Sequence, residues 1–145
     1  MGSDGSALPG SGIGKVLHVD ITVPDADGLL AFYKQVIGWS SAGLDMGGYE
    51  DHMVMTPDGE PAAGICHARG DNAVLPPVWL AYVGVADLHA SIAACEAGGG
   101  RVISGPHDAD GHLYCVIADP TGAALGLMQV PGPDAIDVLT TESGY

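Results

Sequence analysis

The chain has 145 residues, enough for one domain with a hydrophobic core and too few for two ordinary domains. It is 47% hydrophobic and 15% charged, which favours a packed globular protein over a disordered one. Its formal charge of −14 excludes a nucleic-acid-binding surface, because such a surface needs clustered lysine and arginine.

The first predicted element is a strand that precedes a helix. We interpret residues 1–13 as a flexible Gly/Ser-rich leader, and the segment Val16–Val23 then alternates between apolar and polar residues, as a half-buried strand does. The polar face of this strand carries His18, Asp20 and Thr22. One face therefore belongs to the core, and the other lines something polar.

The second predicted element is an amphipathic helix between Asp25 and Gly38. Asp25 is placed to cap its first turn, and Gly38 is placed to end it. Its apolar stripe is assigned to Leu29, Phe32, Tyr33, Val36 and Ile37.

The same pattern recurs from about residue 78, which indicates a tandem duplication. Val23 matches Val85 and Gly38 matches Gly100 at an offset of 62 residues, and Asp87 takes the capping position. The core face of the second helix is predicted to contain Leu88, Ile92 and Cys95.

Short apolar runs separated by turn signals follow each helix and predict three strands per half. These runs are 41–46, 49–56 and 61–67 in the first half, and 101–104, 112–118 and 123–129 in the second. The sequence thus predicts one domain over 14–130, with β-α-β-β-β modules at 14–69 and 78–130, a linker at 70–77 and a C-terminal tail at 131–145.

Three stretches resemble the vicinal oxygen chelate superfamily, which includes glyoxalase I, bleomycin-resistance proteins and extradiol dioxygenases. They are "HVDITVPDADGLLAFYKQVIGW", "YVGVADLHASIAACEAGGGRV" and "GPHDADGHLYCVIADPTGAALGLMQ". The resemblance covers residues 15 to 130 and implies an α+β fold, in which two tandem βαβββ modules form curled mixed sheets around a cleft. It also implies a homodimer.

The resemblance further implies where metal-bearing members place their ligands, on the first and last strands of each module. These four positions fall on His18, Leu80, Gly64 and Gly126. A catalytic metal needs about three protein ligands, and this set offers one. We therefore expect no metal cofactor.

A divalent metal in an atypical site stays open as an alternative. Asp20 shares a strand face with His18, and Cys66 shares one with Gly64, so these side chains are placed to complete a site with His18. His67 has the wrong parity on its strand, while His52, His89 and His107 lie on other segments.

The candidate catalytic and ligand-binding residues are polar side chains expected to face the cleft. His18 is a candidate general base or hydrogen-bond donor, with Asp20 on the same face. His112 and Tyr114 share a face of the strand before "DPTG" and either contact ligand or lie at a strand end. Asp119 of "DPTG" is interpreted as a turn residue, and Trp39 and Trp79 as core or dimer contacts.

Two hypotheses for function follow from these residues. The first is a glyoxalase-like protein that binds a small organic molecule in its cleft without the full metal site. The second is a lyase, isomerase or dioxygenase that uses His18 in an atypical metal or acid-base site, with help from Tyr114 or His112. Three cysteines at irregular spacing and the lack of a long apolar run predict a cytoplasmic protein with no membrane partner.

Overall fold

A computed structural model describes residues 12–131 of the chain. Eight strands and two α-helices follow one another in the predicted order. The first repeat contains β1 (Val16–Val23), α1 (Ala26–Ile37), β2 (Ser40–Asp45), β3 (Glu50–Met55) and β4 (Pro61–His67). The second contains β5 (Leu80–Val85), α2 (Leu88–Ala97), β6 (Arg101–Ala109), β7 (His112–Ala118) and β8 (Ala124–Gln129), and a 3-10 helix at Gly70–Val74 lies in the predicted linker. The α+β fold with two βαβββ modules is confirmed.

The two repeats have the same internal topology. In the first, the strand order is β2-β3-β4-β1, with β1 and β4 parallel and the other pairs antiparallel. In the second, the order is β5-β8-β7-β6, with β5 and β8 parallel. The described residues divide into two compact units, His18–Ala81 and residues 12–17 with 82–131, which we call the first unit and the second unit.

Each unit has its own hydrophobic core between its helix and one face of its strands. In the first unit the core contains Ile21, Ala26, Leu30, Val54, Ala63 and Ile65. In the second unit it contains Leu88, Cys115, Ile117 and Leu127, with Ile92 and Cys95 packed against it as predicted. Within residues 12–131, the other face of each set of strands bears no α-helix of its own unit, and we call it the helix-free face.

The apolar stripe assigned to α1 is partly wrong. Leu29 and Tyr33 do pack on the core, but the helix buries Ala26 and Leu30, while Phe32, Val36 and Ile37 are largely exposed. Positions 26, 30 and 33 follow the helical period of about 3.6 residues, and this rotates Phe32 and Val36 away from the strands. Trp39 and Trp79 pack against the same core, and the Trp79 indole N–H donates to the Tyr33 hydroxyl at 3.1 Å, which confirms their core role.

The predicted helix boundaries are confirmed. Asp25 accepts from the Gly28 N–H at 2.9 Å, and Asp87 accepts from the Ala90 N–H at 3.1 Å. Gly38 ends α1 with a φ of 86°, and a Cβ at this residue would have no neighbouring atom within 4 Å. Gly100 is different, since a Cβ there would lie 2.6 Å from the Cys95 Sγ and 2.7 Å from the Ala118 carbonyl oxygen.

The structure describes the last residues of the predicted leader, but not the rest of the leader or most of the predicted tail. Ile13, which the sequence assigned to the leader, forms a parallel bridge with Gly84, and the Gly14 N–H donates to the Gly84 carbonyl at 2.8 Å. Residues 1–11 of the leader and 132–145 of the predicted tail lie outside the described residues.

Candidate ligand site

The helix-free face of the first unit carries the histidine predicted from the sequence. His18 and Asp20 lie on β1 opposite the core face, and the His18 Nε2 is 3.1 Å from the Asp20 Oδ2. The side chains are 38% and 16% exposed, so the imidazole is open to solvent while the carboxylate is mostly covered. A carboxylate in this position orients the imidazole.

The family position on β4 lies beside this pair. Gly64 is the register partner of Asp20, and a Cβ at Gly64 would lie 3.1 Å from the Asp20 Cβ and 3.6 Å from the His18 Nε2. The structure therefore brings His18 and Gly64 together, as the resemblance implies. Gly64 nevertheless supplies no side chain.

Cys66, the third member of the alternative metal site, lies on the same face as a protonated thiol. Burial, the negative charges of Asp20 and Asp51, and a hydrogen bond to Asp51 raise its pKa from 9.0 to about 12. Metal ligation requires the thiolate, so each of these interactions opposes binding of a metal through Cys66.

The other two histidines of the first unit lie near the start of α1. The His52 Nε2 is 2.7 Å from the Asp27 Oδ1, and the His67 Nε2 is 3.8 Å from the same oxygen. His67 also lies 3.4 Å from Asp51 through its Nδ1. This arrangement ties α1 to β3 and β4, and it agrees with the predicted parity of His67, which places it away from Gly64 and Cys66.

Asp51 holds the end of β4 in place, because its buried Oδ1 accepts the His67 backbone N–H at 2.8 Å. Replacing Asp51 with Ala leaves that donor unpaired, and we expect the free energy of unfolding to fall by about 1–2 kcal/mol. Asp51→Asn retains an acceptor oxygen and should lose less. Urea unfolding of the two variants checks this, and equal losses would contradict the role given to the hydrogen bond.

The family position on β8 is covered by a tyrosine ring. Gly126 is the register partner of Tyr82, and a Cβ at Gly126 would lie 2.2 Å from the Tyr82 Cδ2. Tyr82 is 5% exposed, and Leu80, the family position on β5, is 3% exposed. The space of a metal-ligating side chain at residue 126 is thus taken by an aromatic ring.

The four family positions fail as a metal-binding set on their chemistry. His18 offers an imidazole, Leu80 offers only carbon, and Gly64 and Gly126 offer no side chain. Among residues 12–131, no group of three or more His, Cys, Asp or Glu side chains is arranged to hold a metal ion.

Tyr114 lies on the helix-free face of the second unit, among aromatic residues. Its ring centroid is 6.3 Å from that of Tyr82 and 5.1 Å from that of His107. The His107 Nε2 is 2.7 Å from the Ser104 Oγ. His112, by contrast, is exposed at the start of β7, where its backbone pairs with Ala109.

A bulge in β6 explains why His107 and Ser104 share a face with Tyr114. Ser104 pairs with Val116 and His107 with Tyr114, so three steps along β6 match two along β7. In a regular strand, residues 104 and 107 would point to opposite faces. The predicted strand 101–104 is too short, because β6 continues to Ala109, and the Gly105 and Pro106 pair that follows the predicted strand is the sequence signal that could have located this bulge.

Asp119 is a turn residue, as the sequence predicted. Its Oδ1 accepts from the Thr121 hydroxyl at 2.6 Å and from the Thr121 and Ala123 N–H groups at 2.8 and 3.1 Å. These hydrogen bonds, that of the Thr121 hydroxyl first, lower the pKa of the exposed carboxyl group. The side chain closes the turn between β7 and β8.

The fold agrees with a family comparison. Residues 15–127 match the model of the Glyoxalase/Bleomycin resistance protein/Dioxygenase superfamily. The chain belongs to this superfamily. No helix within residues 12–131 is both long and apolar enough to cross a membrane.

Similar proteins and structures have also been found. CFP32 of Mycobacterium bovis and of Mycobacterium tuberculosis, named as a glyoxylase, is 33% identical to this chain over 122 residues. The match covers 77% of this chain and 44% of CFP32, so the chain spans less than half the length of these relatives. Methylmalonyl-CoA epimerase from Mycobacterium tuberculosis has a similar fold, with a TM-score of 0.51 at 19% identity over 88% of this chain and 95% of the epimerase. A hypothetical protein from Bacillus halodurans matches with a TM-score of 0.50 and 14% identity, over 81% of this chain and 94% of that protein.

Proposed function

We propose that the protein binds a small organic molecule on the helix-free face of a unit, without the full metal site of the metal-bearing family members. The observation that carries the proposal is the buried Tyr82 ring, which occupies the space over Gly126 where a metal-ligating side chain would lie. On the same face, the half-buried rings of Tyr114 and His107 lie near it and offer aromatic surface. Aromatic walls with a few polar groups are typical of small-molecule sites.

The charge of the chain supports a preference among ligands. A formal charge of −14 attracts cations and repels anions at a distance. A neutral or cationic organic molecule therefore fits the proposal better than an anionic one. His18 and Asp20 are the proposed polar contacts for a ligand on the first unit, and Tyr114 and His112 are those for a ligand on the second unit.

The experiment that tests this proposal combines metal analysis with ligand binding. Protein purified without chelator is loaded with Zn, Fe, Mn or Ni, dialysed and analysed for metal, and the unfolding midpoint is measured with cationic drugs and aromatic metabolites. We expect metal well below one per chain and a rise in the midpoint with at least one organic ligand. A ligand at one hundred times its Kd stabilises by about 2.7 kcal/mol.

The matched variant is His18→Ala. Near-stoichiometric metal that is lost in this variant would overturn the metal-free proposal and assign His18 to an atypical site. If no ligand in the panel shifts the midpoint while the protein turns over a substrate, binding alone is the wrong function.

A second candidate function is an enzyme in which His18 transfers protons. The 3.1 Å contact between His18 and Asp20 favours it, because a carboxylate-oriented imidazole is a common general base. The glyoxylase name of the mycobacterial relatives also supports it. A loss of turnover in a folded His18→Ala variant would favour the enzyme, and unchanged turnover would exclude His18 from catalysis. The homodimer and the cytoplasmic location stay predictions.

A further inference from the structure

A serine and a histidine form a close pair on the helix-free face of the second unit. The Ser104 Oγ lies 2.7 Å from the His107 Nε2, and both residues are half-buried. This distance is within the 2.6–3.2 Å range expected for a nucleophile and its general base. When His107 carries its proton on Nδ1, Nε2 accepts the Ser104 hydroxyl hydrogen.

The surroundings hold this pair in position. The Tyr114 ring lies 5.1 Å from the imidazole at an interplanar angle of 42°, which restricts rotation of the His107 ring. The bulge in β6 brings Ser104 and His107 to the same face, although they are three residues apart. The hydroxyl and imidazole therefore face the same surroundings as the aromatic rings of Tyr114 and Tyr82.

We propose that Ser104 is a nucleophile activated by His107 and that it accepts the acyl group of neutral aryl esters. This activity goes beyond the proposed ligand binding and does not depend on it. The half-buried Tyr114 ring beside His107 offers a surface for the aryl group. A neutral substrate is specified because the strongly acidic chain repels anions.

The reaction has two steps. In the first, the Ser104 Oγ forms a bond to the ester carbonyl carbon and the bond from that carbon to the aryl oxygen breaks, while the serine proton passes through the His107 Nε2 to the leaving phenol. In the second, water attacks the acyl group and gives its proton to His107. The bond from the acyl carbon to the Ser104 Oγ then breaks, the carboxylic acid is released, and His107 returns the proton to Ser104.

The test uses p-nitrophenyl acetate and the full chain. We expect rapid release of p-nitrophenol, with one acetyl group located on the peptide containing Ser104 by mass spectrometry. Ser104→Ala should remove this adduct. His107→Gln should slow acetylation of Ser104 by about 10²–10⁴-fold, because the amide can accept the hydroxyl hydrogen bond but cannot take the proton.

Controls separate activation from general reactivity. His89 lies exposed on α2, so His89→Gln should react as the wild type does, and circular dichroism and the unfolding midpoint establish that each variant is folded. His107→Asn replaces His107→Gln if the latter does not fold. Acetyl groups only on other residues, or equal acetylation of Ser104 with and without His107, would overturn the proposal. Acetylation of Ser104 in a protein that binds no ligand from the panel would overturn only the proposed binding.

Discussion

At pH 8, Cys66 is expected to react with a neutral disulfide reagent about a thousandfold more slowly than an ordinary exposed cysteine. The reason is its pKa, which burial and the charges of Asp20 and Asp51 raise from 9.0 to about 12. The thiolate is the reactive form, and its population falls about tenfold for each unit by which the pKa exceeds the solution pH. Raising the solution pH should therefore speed the reaction up to about pH 12.

Two comparisons test this expectation within the same chain. The pKa of Cys115 is raised to about 11, mainly by burial, which predicts a rate reduced about a hundredfold by ionisation alone. Asp51→Asn removes one of the negative charges near Cys66 and should make that thiol react faster. The labelling rate of each cysteine, measured by mass spectrometry, tests both predictions. Cys66 labelling as fast as a free thiol compound would contradict the described burial.

Gly126→Ala is expected to reduce the free energy of unfolding by about 2–3 kcal/mol. The new Cβ would lie 2.2 Å from the Cδ2 and 2.7 Å from the Cγ of Tyr82, far inside contact distance. Because Tyr82 is buried, its ring has little free space into which it can rotate. Forcing an extra carbon into a packed site usually costs about 1–3 kcal/mol.

The repeat supplies the control for this substitution. Gly64 occupies the matching position of the first unit, where a Cβ would lie 3.1 Å from the Asp20 Cβ, which is tight but far less so. Gly64→Ala should therefore cost clearly less than Gly126→Ala in chemical denaturation. In the double variant Gly126→Ala with Tyr82→Ala, the loss should be smaller than the sum of the two single losses. Equal losses of unfolding free energy at the two glycines would show that the clash with the Tyr82 ring is not the cause of the destabilisation.

Local sequence signals predicted much of the fold. Alternation located β1 at its observed bounds, and the aspartates before each helix cap them through the predicted side-chain hydrogen bonds. Asp119 was recognised from the spacing of the "DPTG" turn. These features depend on residues within a few positions of one another, so the local sequence pattern was sufficient to predict them.

The candidate site was predicted less completely, because its contacts join distant segments. The sequence identified His18 and Tyr114 but left His107 out of the site, since the strand was predicted to end at residue 104, whereas β6 continues through a bulge to Ala109. The sequence placed Gly126 at a metal-ligand position of the family, but it did not predict that the Tyr82 ring lies over this residue. That contact depends on the register between β5 and β8. Phe32 is exposed because of the way α1 is rotated about its axis, and the spacing of apolar residues in the sequence does not determine that rotation.

Gly38 and Gly100 are matching residues of the repeat, yet they are glycines for different reasons. Gly38 needs a left-handed backbone beside open space, whereas Gly100 needs the absence of a side chain against Cys95 and Ala118. Asparagine adopts the left-handed conformation more readily than most residues, so position 38 has a substitute. Position 100 has none, because even a methyl group collides there. The two repeats therefore tolerate different substitutions at a residue that they share.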